Sequence, residues 1–235
     1  MSSGRDRPMN LLAIDTARHE GSIALLCGGA VVAEASLGKG PGFGETLFQA
    51  IERLLAERSL ALRDVDCYAA ATGPGSFTGI RVGLVAAKAL AEVNCKPLVG
   101  VSNLRALASM ARGAGVRVPV LDARRGGLFA GFYAADYQAI RPDAYCQWTE
   151  LKPELESLGA TLVSNEQDLF EADGALAAAG DAARQAAPAA LAAAVARVAA
   201  GDVAAGRACK PEEVEANYIR RPNARLPRQP QPASR

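Results

Sequence analysis

The densest group of residues suited to chemistry is Gly73-Pro-Gly-Ser-Phe-Thr-Gly79. Glycines followed by hydroxyls can cradle a phosphate or seat a nucleophile, so spacing decides. A GxxxxGK[ST] phosphate loop needs a second glycine five positions on, then lysine. Thr78 stands five after Gly73, Ile80 stands five after Gly75, and no lysine follows. A GxGxxG dinucleotide turn has Thr78 where its third glycine belongs. A GxSxG nucleophile elbow fails because Ser76 follows Gly75 directly. What remains is a strand, a glycine turn and a helix start capped by Ser76 or Thr78. The free N–H groups of such a start can hold an anion; the plainer reading is a tight turn and a cap.

Two further groups carry charge near turns. Asp15-Thr16 ends the first apolar run. In actin-like ATPases and sugar kinases an acid at that place helps hold a metal-bound nucleotide, ahead of a glycine-rich phosphate loop. Here Ala17 stands where the glycine belongs, and Arg18 and His19 follow. They would either crowd a phosphate or touch one. Asp122-Ala-Arg-Arg-Gly126 is either a turn with a local ion pair or a place where Arg124 and Arg125 meet a phosphate or an acidic partner. His19 is the single histidine, which excludes HExxH zinc proteases and every site needing two. The five cysteines form no CxxC pair and are odd in number. That pattern suits reduced thiols in a cytoplasmic protein better than a disulfide framework.

The elements that must position these residues follow from hydrophobic periodicity. Asn10–Asp15, Gly21–Cys27 and Ala30–Ser36 read as three antiparallel strands. Leu47, Phe48, Ile51, Leu54 and Leu55 place one apolar stripe on a helix over about Glu45–Arg58. A strand at Asp66–Thr72, a helix at Phe77–Val93, a strand at Pro97–Val101 and a helix at Asn103–Arg112 come next. This predicts a largely parallel sheet with an antiparallel edge, flanked by helices. The pattern then restarts, with strands at Arg117–Asp122, Leu128–Ala135, Ala144–Trp148 and Ala160–Ser164 and helical segments after them. The Ala-rich stretch Ala175–Ala208 reads as two helices split at Pro188.

The helix over Phe77–Val93 is unusual. Between Phe77 and Ala91 only Arg81 and Lys88 are charged, so nearly every side should be buried. Gly79, Gly83 and Ala87 recur every four residues and form a face without bulk. Two mid-helix glycines cost ~2 kcal/mol relative to alanine. A close contact must offset that cost. Either another part of this chain or, as preferred here, a partner helix approaches the face.

Composition bounds the rest. The chain has 235 residues, half of them hydrophobic and 22% charged, which suits a globular protein. Net charge is +1, so no overall basic excess holds a nucleic acid. No membrane span and no apolar leader is expected. The expected organisation is a disordered stretch over 1–9, a first lobe over 10–107, a smaller second lobe over 108–220 and a disordered basic tail over 221–235.

Taken together, these stretches resemble the bacterial TsaB (YeaZ) family of the tRNA threonylcarbamoyladenosine (t6A) machinery. The resemblance is carried by Leu12-Ala-Ile-Asp-Thr16, Gly44-Glu-Thr-Leu47, Thr72–Gly83, Ala87-Lys-Ala-Leu-Ala91, Val99-Gly-Val-Ser102, Asp122-Ala-Arg-Arg125 and Asn217-Tyr-Ile-Arg220. It implies an α/β, actin/Hsp70-like (ASKHA) fold of two ribonuclease-H-like lobes. It implies a non-catalytic subunit that pairs with the catalytic TsaD subunit through a four-helix bundle. It also implies that the ATPase TsaE docks on the pair and that tRNA is met through the complex. TsaC supplies the threonylcarbamoyl-adenylate, and TsaD transfers its acyl group to adenine 37. ATP and metal are then expected in partner subunits, with no cofactor, metal ligand or catalytic residue in this chain.

On this resemblance and the helix pattern, partner contacts are expected at Glu45, Leu47, Phe48, Ile51, Gly79, Ile80, Gly83, Leu84 and Ala87. Asp15, Thr16, Gly75, Ser76, Thr78, Arg124 and Arg125 are the residues expected near an anion or nucleotide. Family members usually show His-Ser-Glu or similar at the first helix start. Here Gly42-Phe43-Gly44-Glu45 stands there, which places Phe43 at the partner edge. The rival readings are a peptidase-like hydrolase, an actin-like small-molecule kinase and a homodimer formed through the same helix face.

Overall fold

A computed structural model describes residues 7–39, 42–171 and 184–219. Of the start expected to be disordered over 1–9, residues 1–6 lie outside the described residues, as do 172–183 of the Ala-rich stretch and 220–235, which include the expected tail over 221–235. Met9, by contrast, is tied to the sheet by the Gly28 N–H.

The first sheet holds β1 (Asn10–Asp15), β2 (Glu20–Cys27), β3 (Ala30–Lys39), β4 (Cys67–Ala71) and β5 (Leu98–Val101) in the order β3-β2-β1-β4-β5. β1 pairs antiparallel with β2 and parallel with β4. The sheet is thus half antiparallel, not largely parallel as periodicity suggested. The meander β1–β2–β3 makes two full ladders, whereas only β1–β4 and β4–β5 run parallel. Strand β1 is buried from end to end, which fits its near-continuous apolar run at the centre of the sheet.

Two helices cover one face: α1 (Phe43–Ala56) and α2 (Phe77–Val93). Leu47, Ile51, Leu54 and Leu55 of α1 join Leu84, Ala87 and Leu90 of α2 against Leu12, Ile14, Leu25 and Tyr68 of the sheet. Burying each leucine or isoleucine contributes ~1.5–3 kcal/mol. The α2 start is capped by Ser76, whose hydroxyl accepts from the Gly79 N–H at 3.2 Å. Helix α3 (Asn103–Met110) starts the same way at Ser102 and leads to the second sheet.

The second sheet holds β6 (Arg117–Asp122), β7 (Gly127–Tyr133), β8 (Ala139–Gln147), β9 (Thr161–Ser164) and β10 (Arg184–Ala186) in the order β10-β9-β6-β7-β8. Read from β8, this repeats the first sheet's topology: two antiparallel ladders, then two parallel ones. The two lobes are architectural duplicates. One helix was not foreseen, α4 (Trp148–Leu158), which carries Pro153 inside and buries Leu151 and Leu155. In the first of the two helices expected in the Ala-rich stretch, the described residues Arg184–Ala186 form β10 instead.

The expected lobe boundary needs correction. Helix α5 (Ala192–Ala204) does not belong to the second lobe, because its alanine and valine face packs on all five strands of the first sheet. Ala192, Val195, Val198 and Ala199 lie against Leu11, Ala13, Ala24 and Val99. The chain then stays there: Cys209 and Leu98 exchange backbone hydrogen bonds, and the Asn217 N–H donates to the Thr72 carbonyl at 2.7 Å. The first lobe is therefore built from both ends of the chain. The second lobe is the insertion that carries β6 to β10.

Candidate functional site

The two lobes face each other across a cleft of about 970 Å³. One wall comes from the β1–β2 turn (Thr16, Ala17, Arg18, His19), the α1 start (Gly42 to Glu45) and the α2 start (Gly75, Ser76, Thr78). The other comes from the β6–β7 turn (Asp122 to Arg125), Phe129 and Glu166. So Thr16, Gly75, Ser76, Thr78, Arg124 and Arg125 come together as cleft residues. Asp15 does not join them.

Asp15 is fully buried. Its Oδ1 accepts from the Ala17 N–H at 2.9 Å and from Asn103 Nδ2 at 3.2 Å, while Oδ2 has no partner. Burial pushes this carboxyl above its ordinary value of 3.8, against the lowering effect of those hydrogen bonds. A carboxylate meant to hold a metal-bound nucleotide needs access to the cleft, and Asp15 has none.

The glycine turn is also engaged by the chain itself. The Ser76 N–H donates to the Ala17 carbonyl at 2.7 Å. A Cβ on Gly75 would lie 2.2 Å from that same carbonyl oxygen. A Cβ on Gly79 would lie 2.0 Å from the Thr16 carbonyl oxygen, and one on Gly83 would lie 2.4 Å from Thr16 Oγ1. Thr16 Oγ1 in turn donates to the Gly79 carbonyl at 2.7 Å. Residues 16 and 17 are thus pressed onto the glycine turn and the first turn of α2.

This overturns the outward reading of the small-residue face. Gly79 and Gly83 are buried against Thr16 and Ile14 of their own lobe, and Ala87, Ile80 and Leu84 of α2 and Leu47 and Ile51 of α1 are buried in its core. Their apolar character is spent on the core, so they are not surface contacts. Phe43 likewise turns inward, and its ring sits where a side chain on Gly21 would be. Of the expected partner contacts, Glu45 and Phe48 are exposed. Sequence reasoning missed Val85, which is 63% exposed on the outer face of α2. Its spacing from Arg81, Thr78 and Ala89, all exposed, marks a stripe at helical period.

One ion pair bridges the cleft. Arg18, on the first lobe, pairs with Glu166, on the second. The Arg18 side chain is 12% exposed, and burial lowers its pKa to about 10, which leaves it a cation at neutral pH. Glu166 also accepts from the Asp122 N–H. Arg124 pairs with Asp122 at 3.4 Å and is otherwise solvent-facing, on a turn where Arg124, Arg125 and Gly126 all have positive φ. The turn with a local ion pair is thus present. No group of three potential metal ligands exists among the described residues.

Two lobes of one repeated topology around a cleft define the actin-like (ASKHA) class of proteins. The family model described as "TsaD: tRNA N6-adenosine threonylcarbamoyltransferase" matches residues 41–217. The TsaB protein of Bacillus subtilis (strain 168), named for tRNA threonylcarbamoyladenosine biosynthesis, is 37% identical over 53% of this chain and 55% of its own. The Escherichia coli (strain K12) TsaB is 34% identical over 56% of this chain and 58% of its own. The structure of YeaZ from Pseudomonas aeruginosa superposes with a TM-score of 0.71 at 22% identity, covering 89% of this chain and 99% of that one, which shows a shared fold. The chain belongs to the TsaD family and is similar to the TsaB (YeaZ) proteins. It spans little more than half the length of the two curated relatives it matches here.

Proposed function

We propose that this chain serves t6A formation in tRNA as a non-catalytic subunit that pairs with and activates a TsaD transferase. The observation that carries the reading is the outer surface of α1 and α2. Beneath it the core is closed, yet Phe48 stays 48% exposed and Val85 63% exposed on the two helices. Large apolar side chains left exposed on both helices support a partner surface there. The state of the cleft supports the non-catalytic half of the reading. Asp15 is sealed from it, and Ala17 stands where an actin-like phosphate loop carries glycine. On this reading ATP and metal belong to the partner subunits, TsaE docks on the pair, and tRNA is reached through the complex.

The test is co-expression with the TsaD of the same organism. A 1:1 complex in size-exclusion chromatography is expected. The chain alone, given TsaC, ATP, threonine and bicarbonate, should leave tRNA unmodified. Robust modification without TsaD would overturn the reading.

A further inference from the structure

The outer face of α2 carries a cation held in one orientation. Arg81 is exposed, and its guanidinium lies 3.8 Å over the Phe77 ring. Its Nε donates to the Tyr218 hydroxyl at 3.2 Å. Tyr218 in turn stacks on Phe77, with ring centroids 5.2 Å apart and planes inclined at 35°. Asn217, the residue before Tyr218, is anchored twice. Its N–H donates to the Thr72 carbonyl, and its Nδ2 donates to Asp143 at 3.1 Å. An arginine held this way has given up much of its rotamer freedom before any ligand arrives. Yet among the described residues Arg81 pairs with no carboxylate, and its two amino groups meet no acceptor. A guanidinium fork that is fixed and left open suits a planar, bidentate anion.

We infer that Arg81, positioned by Phe77 and Tyr218, receives an aspartate or glutamate carboxylate of the partner transferase and fixes how the two proteins register. The inference rests on the pairing reading and adds to it a specific charged contact. Two features favour a protein carboxylate over the phosphates of a nucleic acid. Thr78, Arg81, Val85 and Ala89 form the exposed stripe of α2, and they carry a single charge among them. A phosphate backbone is held by several cations in succession, whereas one carboxylate needs one guanidinium. Val85, one helical turn beyond Arg81 and 63% exposed, calls for an apolar contact beside the charged one. A protein surface supplies both. Tyr218 acts through Arg81: its hydroxyl orients the fork, and its ring closes one side of the Phe77 platform.

The experiment uses the full chain and the TsaD of the same organism, with affinities from surface plasmon resonance and a melting curve for each free variant. Arg81→Met keeps an apolar stem over Phe77 and removes the charge. It should weaken TsaD binding about thirtyfold and melt as the parent does. Tyr218→Phe keeps the stacked ring and removes the hydroxyl. It should weaken binding about threefold when Arg81 is present. In the Arg81→Met background the same change should cost nothing, which separates a positioning role from a direct contact. Arg81→Lys places an amine where the fork was. In the complex, a zero-length carbodiimide should join that amine to an aspartate or glutamate of TsaD, mapped by mass spectrometry. Full TsaD affinity in Arg81→Met, or crosslinks from position 81 to no TsaD carboxylate, would overturn the inference. So would a Tyr218→Phe loss that is equal in both backgrounds, or an Arg81→Met protein that melts early. Retained TsaD affinity with loss of tRNA from the complex would assign Arg81 to a phosphate and overturn it too. In each of these cases the parent still pairs with TsaD, so the pairing reading stands. A parent chain that forms no complex with TsaD would overturn both.

Discussion

The carbonyl oxygen of Thr16 occupies the place where a side chain on Gly79 would begin. An added Cβ would stand 2.0 Å from it, and the Thr16 hydroxyl donates to the Gly79 carbonyl at 2.7 Å. The β1–β2 turn is thus pressed onto the first turns of α2. This contact, inside one chain, offsets the cost of two glycines within a helix.

Gly79→Ala and Gly83→Leu should therefore both destabilise the isolated protein. Alanine at 79 regains up to ~1 kcal/mol of helix propensity. It must also push a backbone carbonyl aside, and overpacking costs ~1–3 kcal/mol or more. The net loss is ~2 kcal/mol, or a fall in Tm of about 4–8 °C for a chain of this size. Leucine at 83 meets Thr16 Oγ1 and Ile14 and should cost more. Circular-dichroism melting decides, and a Gly83→Leu protein that melts like the parent would contradict the packing described.

Asp15 should make stability fall as pH rises. An unfolded aspartate titrates near 3.8, and burial raises the folded value. Below 3.8 both states hold the proton and the group costs nothing extra. Between the two values only the unfolded state gives up its proton, so stability drops; above the folded value it levels off. Asp15→Asn removes the charge while keeping an acceptor for the Ala17 N–H. Its new amide N–H₂ replaces an oxygen that already lacks a partner, and an unpaired neutral group is less costly than an unpaired charge. The variant should melt above the parent at pH 7–8, with the gap closing towards pH 4. A gap that widens on acidification would mean the charged carboxylate is stabilised.

Much of this was legible in the sequence. The strands β1 and β6 and the helix α2 begin and end where periodicity and the Ser76 cap put them, because each carries an unbroken pattern and a clear start signal. The restart after Gly115 marked the second lobe. Helix α4 escaped because Pro153 breaks its pattern, and only Leu151 and Leu155 face the core. The return of α5 to the first lobe was hidden because an alanine-rich helix does not specify which sheet it covers. The small-residue face of α2 was visible, but its direction was not. Spacing shows that something packs closely on Gly79 and Gly83, whereas what does so, the Thr16 backbone at Gly79 and the Thr16 and Ile14 side chains at Gly83, is a tertiary fact. For the same reason Val85 was missed: a lone valine on an apolar helix reads as core.

The pair between Arg18 and Glu166 should tie the two lobes together. Glu166→Gln leaves the mostly buried guanidinium without a counter-charge. Removing one partner of a fully buried pair costs ~3–5 kcal/mol, and the partial exposure of this one reduces the loss to ~2 kcal/mol. Arg18→Gln should cost a similar amount, and the double variant less than the two losses added. A double-mutant cycle by thermal or urea unfolding measures the coupling. Coupling near zero would show that the pair does not hold the cleft.

Phe48→Glu and Val85→Glu should separate pairing from folding. Phe48 is 48% exposed and Val85 63% exposed, and neither fills the core beneath α1 and α2. Exposed substitutions of this kind usually move stability by no more than ~0.5 kcal/mol. In the isolated chain the melting curve should hardly change. In a complex with TsaD the same positions would be dehydrated at the centre of the interface. A carboxylate buried there without a partner costs several kcal/mol. A loss of ~3 kcal/mol weakens binding more than a hundredfold. Glu45 lies at the rim of the same surface, so Glu45→Gln should alter association rate and salt dependence more than complex lifetime. Surface plasmon resonance of the three variants against immobilised TsaD reads both rates. If Phe48→Glu and Val85→Glu bind as the parent does, the outer face of α1 and α2 is not where this protein meets its partner.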